Sequence, residues 1–305
     1  CLKIVFNIFK YHNANRSEKV SQETKQNIEK FLKFTQKLYK DLRSTLNYTF
    51  LQRANGRLVN TPEDNQFLKT LGLPSQLSFK VVTECPKIVM LIFKSHTRLI
   101  PGYVPQFIPK MLEAVSLKVS PESFTDIRLY TPRLAEMIAC QVKTLSFLTY
   151  LLKGFASKMK DHMTRLADAV VHLFKNCPTE AVDTRRELLV ATRHILVTDF
   201  KKAFFPYVNV LLQEKTLLGS GRSANLALRP LAYSTVADLV HYVRNRLKLR
   251  QISGIIYIFS RNIDDTKLPL GIQVTSVRLL LNLVDNIYHN TDSDRRKGWN
   301  LLVRI

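Results

Sequence analysis

Glycine and proline are scarce in this chain, at 9 and 12 in 305 residues. That excludes collagen-like, linker-like and disordered compositions. It also argues against a fold full of tight hairpins, whose turns need residues that tolerate positive φ. Long hydrophobic runs are missing too. The longest, at 88–93, has six residues, where roughly 20 are needed to cross a bilayer as a helix. The amino-terminal stretch is apolar only in pieces and lacks a small-residue cleavage site, so it does not read as a signal peptide. Cys1, Cys85, Cys140 and Cys177 stand singly, with no CxxC and no Cys/His pair at zinc-ligand spacing. They read as buried thiols of a reducing compartment. Acidic residues are the last shortage: 24 against 46 Lys and Arg, a net charge of +22. Such a chain favours polyanionic partners, whether nucleic acid, an anionic membrane surface or acidic protein segments.

Helical periodicity is plentiful. Over 27–50 the apolar residues fall at Ile28, Phe31, Leu32, Leu38, Tyr39, Leu42 and Leu46. Spacings of three and four set one apolar stripe on a helix and leave lysines on its other face. Ser120-Pro121 and Thr131-Pro132 each place a capping hydroxyl before a proline suited to a first turn. Thr184 to Glu187 reads as a capping box opening a helix, and Pro86 and Pro109 mark kinks or helix starts. No segment alternates apolar and polar residues long enough to demand a strand. A polar stretch at about 52–74 reads as a flexible loop. Residues 1–75 are then a helical segment ending in that loop, and 76–305 form the repeat region.

The repeat rests on four segments with apolar or small residues at positions 1, 4 and 8 of one template. They are Leu145, Leu148 and Leu152; Leu188, Ala191 and Ile195; Tyr233, Val236 and Val240; and Val274, Val277 and Leu281. Their last members are spaced by 43, 45 and 41 residues. A second amphipathic stretch follows each, at 170–174, 208–212, 255–259 and 299–303. Two helices per roughly 40–47 residues is the period of HEAT and armadillo repeats. The predicted fold is therefore an all-α, HEAT/armadillo-like helical-repeat solenoid in which stacked helix pairs share a continuous core. A first residue other than methionine, and an end at LLVRI inside an apolar pattern, read as a piece of something longer.

Catalytic motifs dissolve on inspection. GSGRSA at 219–224 resembles part of a phosphate loop, but YVNVLLQEKTLL before it reads as helix and no Lys-Ser/Thr pair follows. An inter-helix turn is expected there. Ser234, Asp238 and His241 have triad residue types but share one helix face, so their side chains run roughly parallel. His162, His172 and His194 lack metal-ligand spacing. The remaining feature is the basic run Arg244, Arg246, Lys248 and Arg250 beside Tyr242. Two readings stand: cations that suit a helix C-terminus, or a patch that contacts a polyanion. A second group, Arg295, Arg296 and Lys297, sits behind Asp292 and Asp294 and is partly neutralised.

Whole segments resemble one family. LRPLAYSTVADLVHYV at 228–243 closely resembles a stretch of the transformation/transcription domain-associated protein (TRRAP) family. QVKTLSFLTYLL at 141–152, RRELLVATRHILVTDF at 185–200 and RNIDDTKLP at 261–269 are similar to it in the same order, as are SFKVVTECP at 78–86 and LLLNLVD at 279–285. The resemblance is clear over 78–285 and weak over the first 77 residues. It implies a fragment of the N-terminal HEAT-repeat region of a very large solenoid that ends in a catalytically inactive kinase-like domain. It implies a nuclear transcription coactivator scaffold that recruits SAGA-type and MYST-type histone acetyltransferase complexes to activators. Expected partners are acidic transcription activator segments, other subunits of those complexes, and the remaining solenoid of the same full-length chain. No enzymatic activity, cofactor, metal or membrane is expected. The candidate partner-binding residues are Tyr242, Arg244, Arg246, Lys248 and Arg250, with aromatic and aliphatic neighbours as anchors. The second reading is a basic solenoid that tracks DNA or RNA, marked by strong salt dependence and affinity for any duplex.

Overall fold

The computed structural model describes residues 22–50, 79–95, 102–118, 127–219, 226–290 and 295–305. The predicted loop at 52–74 and the Ser120-Pro121 cap lie outside the described residues. Among those described there is no strand, only α-helices and short 3-10 segments. None of these helices is long and apolar enough to cross a membrane. The chain divides into two compact units, Cys1–Met159 and Lys160–Ile305.

In the first unit, α1 (Gln22–Phe50), α2 (Phe79–Ser95), α3 (Val104–Ser116) and α4 (Ile127–Met159) share one apolar centre. The stripe of α1 points inward through Ile28, Leu32 and Tyr39, while Lys25, Lys30, Lys33 and Lys37 are exposed. Phe93 of α2 meets Phe107 of α3 at 6.3 Å and Phe147 of α4 at 5.6 Å, both edge-on, the arrangement ring quadrupoles favour. Gln141 is buried because it is useful there. Its Nε2 donates to the carbonyls of Ala114 (3.0 Å), Val115 (3.3 Å) and Leu117 (2.9 Å), acceptors that the end of α3 leaves without partners.

The prolines behave differently from expectation. Pro86 and Pro109 lie inside α2 and α3, and the first-turn proline is Pro105. In α2, burial of Cys85, Ile88, Val89, Ile92 and Phe93 outweighs the roughly 3 kcal/mol that an interior proline costs a helix. α4 begins at Ile127, so Thr131-Pro132 falls within it rather than at its start.

The second unit contains α5 (Met163–Asn176), α6 (Val182–Leu196), α7 (Val208–Leu211), α8 (Glu214–Leu218), α9 (Arg229–Val243), α10 (Leu249–Ile263), α11 (Leu270–Asn290) and α12 (Arg295–Leu302). The repeat is visible in its contacts. The first helices α6, α9 and α11 pack in succession, and α10 and α12 flank α11 as second helices. The second helix after α6 is broken: the 3-10 segment Asp199–Tyr207, containing Pro206, precedes the four-residue α7. Proline's missing N–H and fixed φ account for the interruption. α6 opens at Val182, with Ala181 at its N-cap and no side-chain cap. The Arg185 N–H already bonds the Ala181 carbonyl at 3.0 Å, so Thr184 to Glu187 lies inside the helix and is not its capping box.

Three of the four template segments point inward at all three positions. The fourth does not: Val274 and Val277 are each 40% exposed and Leu281 60%. The buried positions of α11 are Ser276, Leu279, Leu280, Leu283 and Ile287, of which Ser276, Leu279 and Leu283 repeat the template two residues further along. With that frame the last-member spacings become 43, 45 and 43 residues. Ser276 tolerates burial because it is small and its Oγ donates to the Ile272 carbonyl at 2.8 Å.

Polar links join these helices. Arg193 Nε of α6 pairs with Asp238 of α9 at 2.8 Å. The Tyr233 hydroxyl donates to Glu214 at 2.5 Å, and Arg261 pairs with the same carboxylate. Arg229 reaches Asp265 at 2.5 Å, and that hydrogen bond holds the Asp265 carboxyl below its ordinary range. The family-like segments at 228–243 and 261–269 thus supply Arg229, Tyr233, Arg261 and Asp265, and α8 supplies the Glu214 carboxylate that Tyr233 and Arg261 share.

The turn expected at 219–224 begins at Gly219, which closes α8 with φ +89°; residues 220–225 lie outside the described part. A Cβ at this position would sit 2.7 Å from Thr179 Cγ2. Gly219→Ala is therefore expected to cost about 1–3 kcal/mol in backbone strain, with a steric contribution on top. Urea unfolding checks this. Thr179→Ser in the same background should relieve only the steric part, and an unchanged midpoint for Gly219→Ala would contradict the turn geometry.

Candidate partner-binding surface

α9 passes into the 3-10 turn Arg244–Arg246. Leu247 is buried and its N–H bonds the Arg244 carbonyl at 3.2 Å. Lys248 is extended, and the Gln251 side chain accepts from its N–H at 2.9 Å. The run RNRLKLR at 244–250 is therefore an anchored connection. Leu247 holds it to the core, and the cationic heads extend toward water.

The structure splits the five candidate residues. Arg246, Lys248 and Arg250 line one cavity of about 920 Å³, together with Lys297 and Arg304 from the end of the chain. Tyr242 and Arg244 are not among its lining residues. Tyr242 is half-buried, with Lys201 Nζ 4.1 Å from its ring centroid, a cation–π contact. Arg244 donates to His241 Nδ1 at 3.3 Å. Lys201, Lys297 and Arg304 are the cations that sequence reasoning missed at this surface. Lys297 carried the opposite signal, because Asp292 and Asp294 precede it.

Arg193, Arg229 and Arg261 are each paired with a carboxylate. Among the described residues, Arg246, Lys248, Arg250 and Arg304 have no such partner, and no aspartate or glutamate lines the cavity. Lys175, Lys202, Lys215 and Arg278 of this unit also have no carboxylate partner among the described residues, so what sets this surface apart is that five cations line one cavity. Cations gathered in a recess with low-dielectric walls concentrate positive potential and draw anions to it.

The other motifs do not converge on chemistry. Ser234 Oγ donates to the Pro230 carbonyl at 2.9 Å, Asp238 is held by Arg193, and His241 lies against Arg244 and the Tyr242 ring. No hydrogen bond links the three. Burial pushes the Cys85 and Cys140 thiols up to about 12, where little thiolate exists at neutral pH. Among the described residues, no group of three or more His, Cys, Asp or Glu could hold a metal ion.

Comparison with known proteins adds an independent line. Residues 133–305, which include the cavity, match the family model described as the Tra1 HEAT repeat central region. The chain is 35% identical over 326 residues to the transformation/transcription domain-associated protein of Danio rerio, with all of the chain aligned. It is 33% identical over 317 residues to the SAGA complex/NuA4 acetyltransferase complex subunit Tra1 of Schizosaccharomyces pombe, and 29% over 337 residues to the TRA1 subunit of Saccharomyces cerevisiae. In both yeast comparisons 94% of the chain is aligned. The chain spans only 8–9% of the length of these relatives. The matched region is described as central, where the sequence segments had pointed to the N-terminal HEAT region.

Proposed function

Since this chain belongs to the Tra1/TRRAP family by its match to the central HEAT-repeat region, we propose that it is a non-catalytic scaffold segment of a nuclear transcription coactivator subunit. In this reading its basic surface receives acidic segments of transcription activators and so brings acetyltransferase complexes to them. Relatives named as SAGA and NuA4 complex subunits support partnership with other subunits of such complexes and with further solenoid of a longer chain. The observation that carries the reading is the set of cations without carboxylate partners at 246–250 and 304. Disordered acidic segments would be steered there by charge and ordered on binding. Leu249 and neighbouring aliphatic groups then offer anchor contacts.

Binding of an acidic, leucine- and phenylalanine-containing peptide to the full-length protein tests this. Changing Arg244, Arg246, Lys248 and Arg250 to glutamate is expected to weaken it on the order of tenfold or more. Added salt should weaken it too, and circular dichroism should be unchanged because the four side chains lie outside the core. Random duplex DNA is the control. DNA bound as tightly as the peptide would favour the nucleic-acid reading, and binding of neither would remove the surface from partner recognition.

A further inference from the structure

We infer that the cavity between the α9–α10 connection and α12 is a phosphate site, made for a phosphoserine or phosphothreonine within a partner's acidic segment. The inference rests on the reading that this surface takes acidic segments, and it says which chemical group fills the recess.

Three observations carry it. First, the cations converge. Arg246, Lys248 and Arg250 come from one connection, Lys297 and Arg304 from the other wall, and all five line the same space. Carboxylates strung along an extended peptide bring about one charge each and disperse it over several residues. A phosphomonoester concentrates about −1.5 to −2 charges and three acceptor oxygens on one side chain. Second, the lining donates and hardly accepts. Three of the cations are arginines, whose planar forks match phosphate oxygens in pairs. Ser253 and the side-chain amides of Asn245 and Asn300 supply further donors. Third, the first turn of the 15-residue α10 forms part of the wall, through Leu249, Arg250 and Ser253. Lys248 stands at its N-cap, and an ammonium group has no lone pair with which to cap the turn. The Lys248 carbonyl accepts from the Gln251 and Ile252 N–H groups at 2.8 and 3.0 Å, so the N–H groups of Leu249 and Arg250 are the ones that add to the positive field at the head of α10. The volume, about 920 Å³, suits a compact ligand of a few residues around one modified side chain.

The test compares two peptides on the full-length protein by fluorescence anisotropy. One is an acidic segment with leucine, phenylalanine and a single phosphoserine; the other is its unphosphorylated twin. Phosphorylation is expected to tighten binding on the order of tenfold. Lys297→Gln together with Arg304→Gln should abolish that gain, so that the two peptides bind the variant alike; the twin weakens as well, because Arg304 belongs to the same cationic surface. Both side chains are exposed, so the folded state should persist, which a thermal melt verifies. Equal binding of the two peptides overturns the phosphate site while the acidic-segment reading stands. Binding of neither overturns that reading and the site with it. A phosphate gain that survives the double substitution places the phosphate elsewhere and overturns the inference, as does random duplex DNA that displaces the phosphopeptide at equal concentration.

Discussion

Arg185→Leu is expected to destabilise the second unit by about 3–5 kcal/mol. Arg185 is only 2% exposed and has no carboxylate partner among the described residues. Its guanidinium donates instead to backbone carbonyls: Thr216 at 2.8 Å, Leu217 at 3.2 Å, Cys177 at 2.5 Å and Phe174 at 3.5 Å. These are the acceptors that the ends of α5 and α8 leave over, and both helix dipoles present their negative ends there. Burial lowers the Arg185 pKa, yet the carbonyls replace the water lost around its two terminal nitrogens, while its Nε is buried without a hydrogen-bond partner. Leucine, whose side chain ends at Cδ, would fill only part of the space and strand four buried acceptors, each worth about 1–3 kcal/mol if left unsatisfied. Lysine keeps the charge but not the planar fork, and should fall between leucine and the native residue. Urea unfolding followed by circular dichroism measures all three. A leucine variant within about 1 kcal/mol of the native chain would contradict this account of the corner.

Leu148→Ala is expected to cost about 2–5 kcal/mol, while Leu281→Ala should stay within about 0.5 kcal/mol. The sequence template assigns both leucines to the core, but Leu148 is buried and Leu281 is largely exposed. Leu283→Ala is the true counterpart of Leu148→Ala and should show the large loss. Equal small effects at Leu148 and Leu283 would mean that the helices pack in another register.

The contrast shows what the sequence could reveal. Helix pairs and their period were legible because burying one face imposes spacings of three and four on apolar residues. The register of α11 was not legible, because that helix is apolar on two sides. Val274, Val277 and Leu281 compete with Leu279, Leu280, Leu283 and Ile287, and the deciding inward residue is Ser276, a polar type that a hydrophobic template passes over. Arg185 was hidden for a related reason. In sequence it belongs to the charged TRRE segment, and only the folded chain brings the carbonyls of Cys177 and Thr216 around it. At the candidate surface, Arg246, Lys248 and Arg250 were legible because they are close in sequence. Lys297 and Arg304 reach the same cavity only through the packing of α12 on α10 and α11. Tyr242 was grouped with the run by proximity, but its ring is taken up by Lys201 instead.

The central claim is that acidic activator segments meet the scaffold at this cationic surface. It is tested most directly by photo-cross-linking an acidic segment to the intact complex and mapping the attachment sites by mass spectrometry. The account predicts cross-links within 242–250 and 297–304 that disappear when Arg244, Arg246, Lys248 and Arg250 are changed to glutamate. Reproducible cross-links confined to other parts of the complex, and indifferent to that charge reversal, would contradict it.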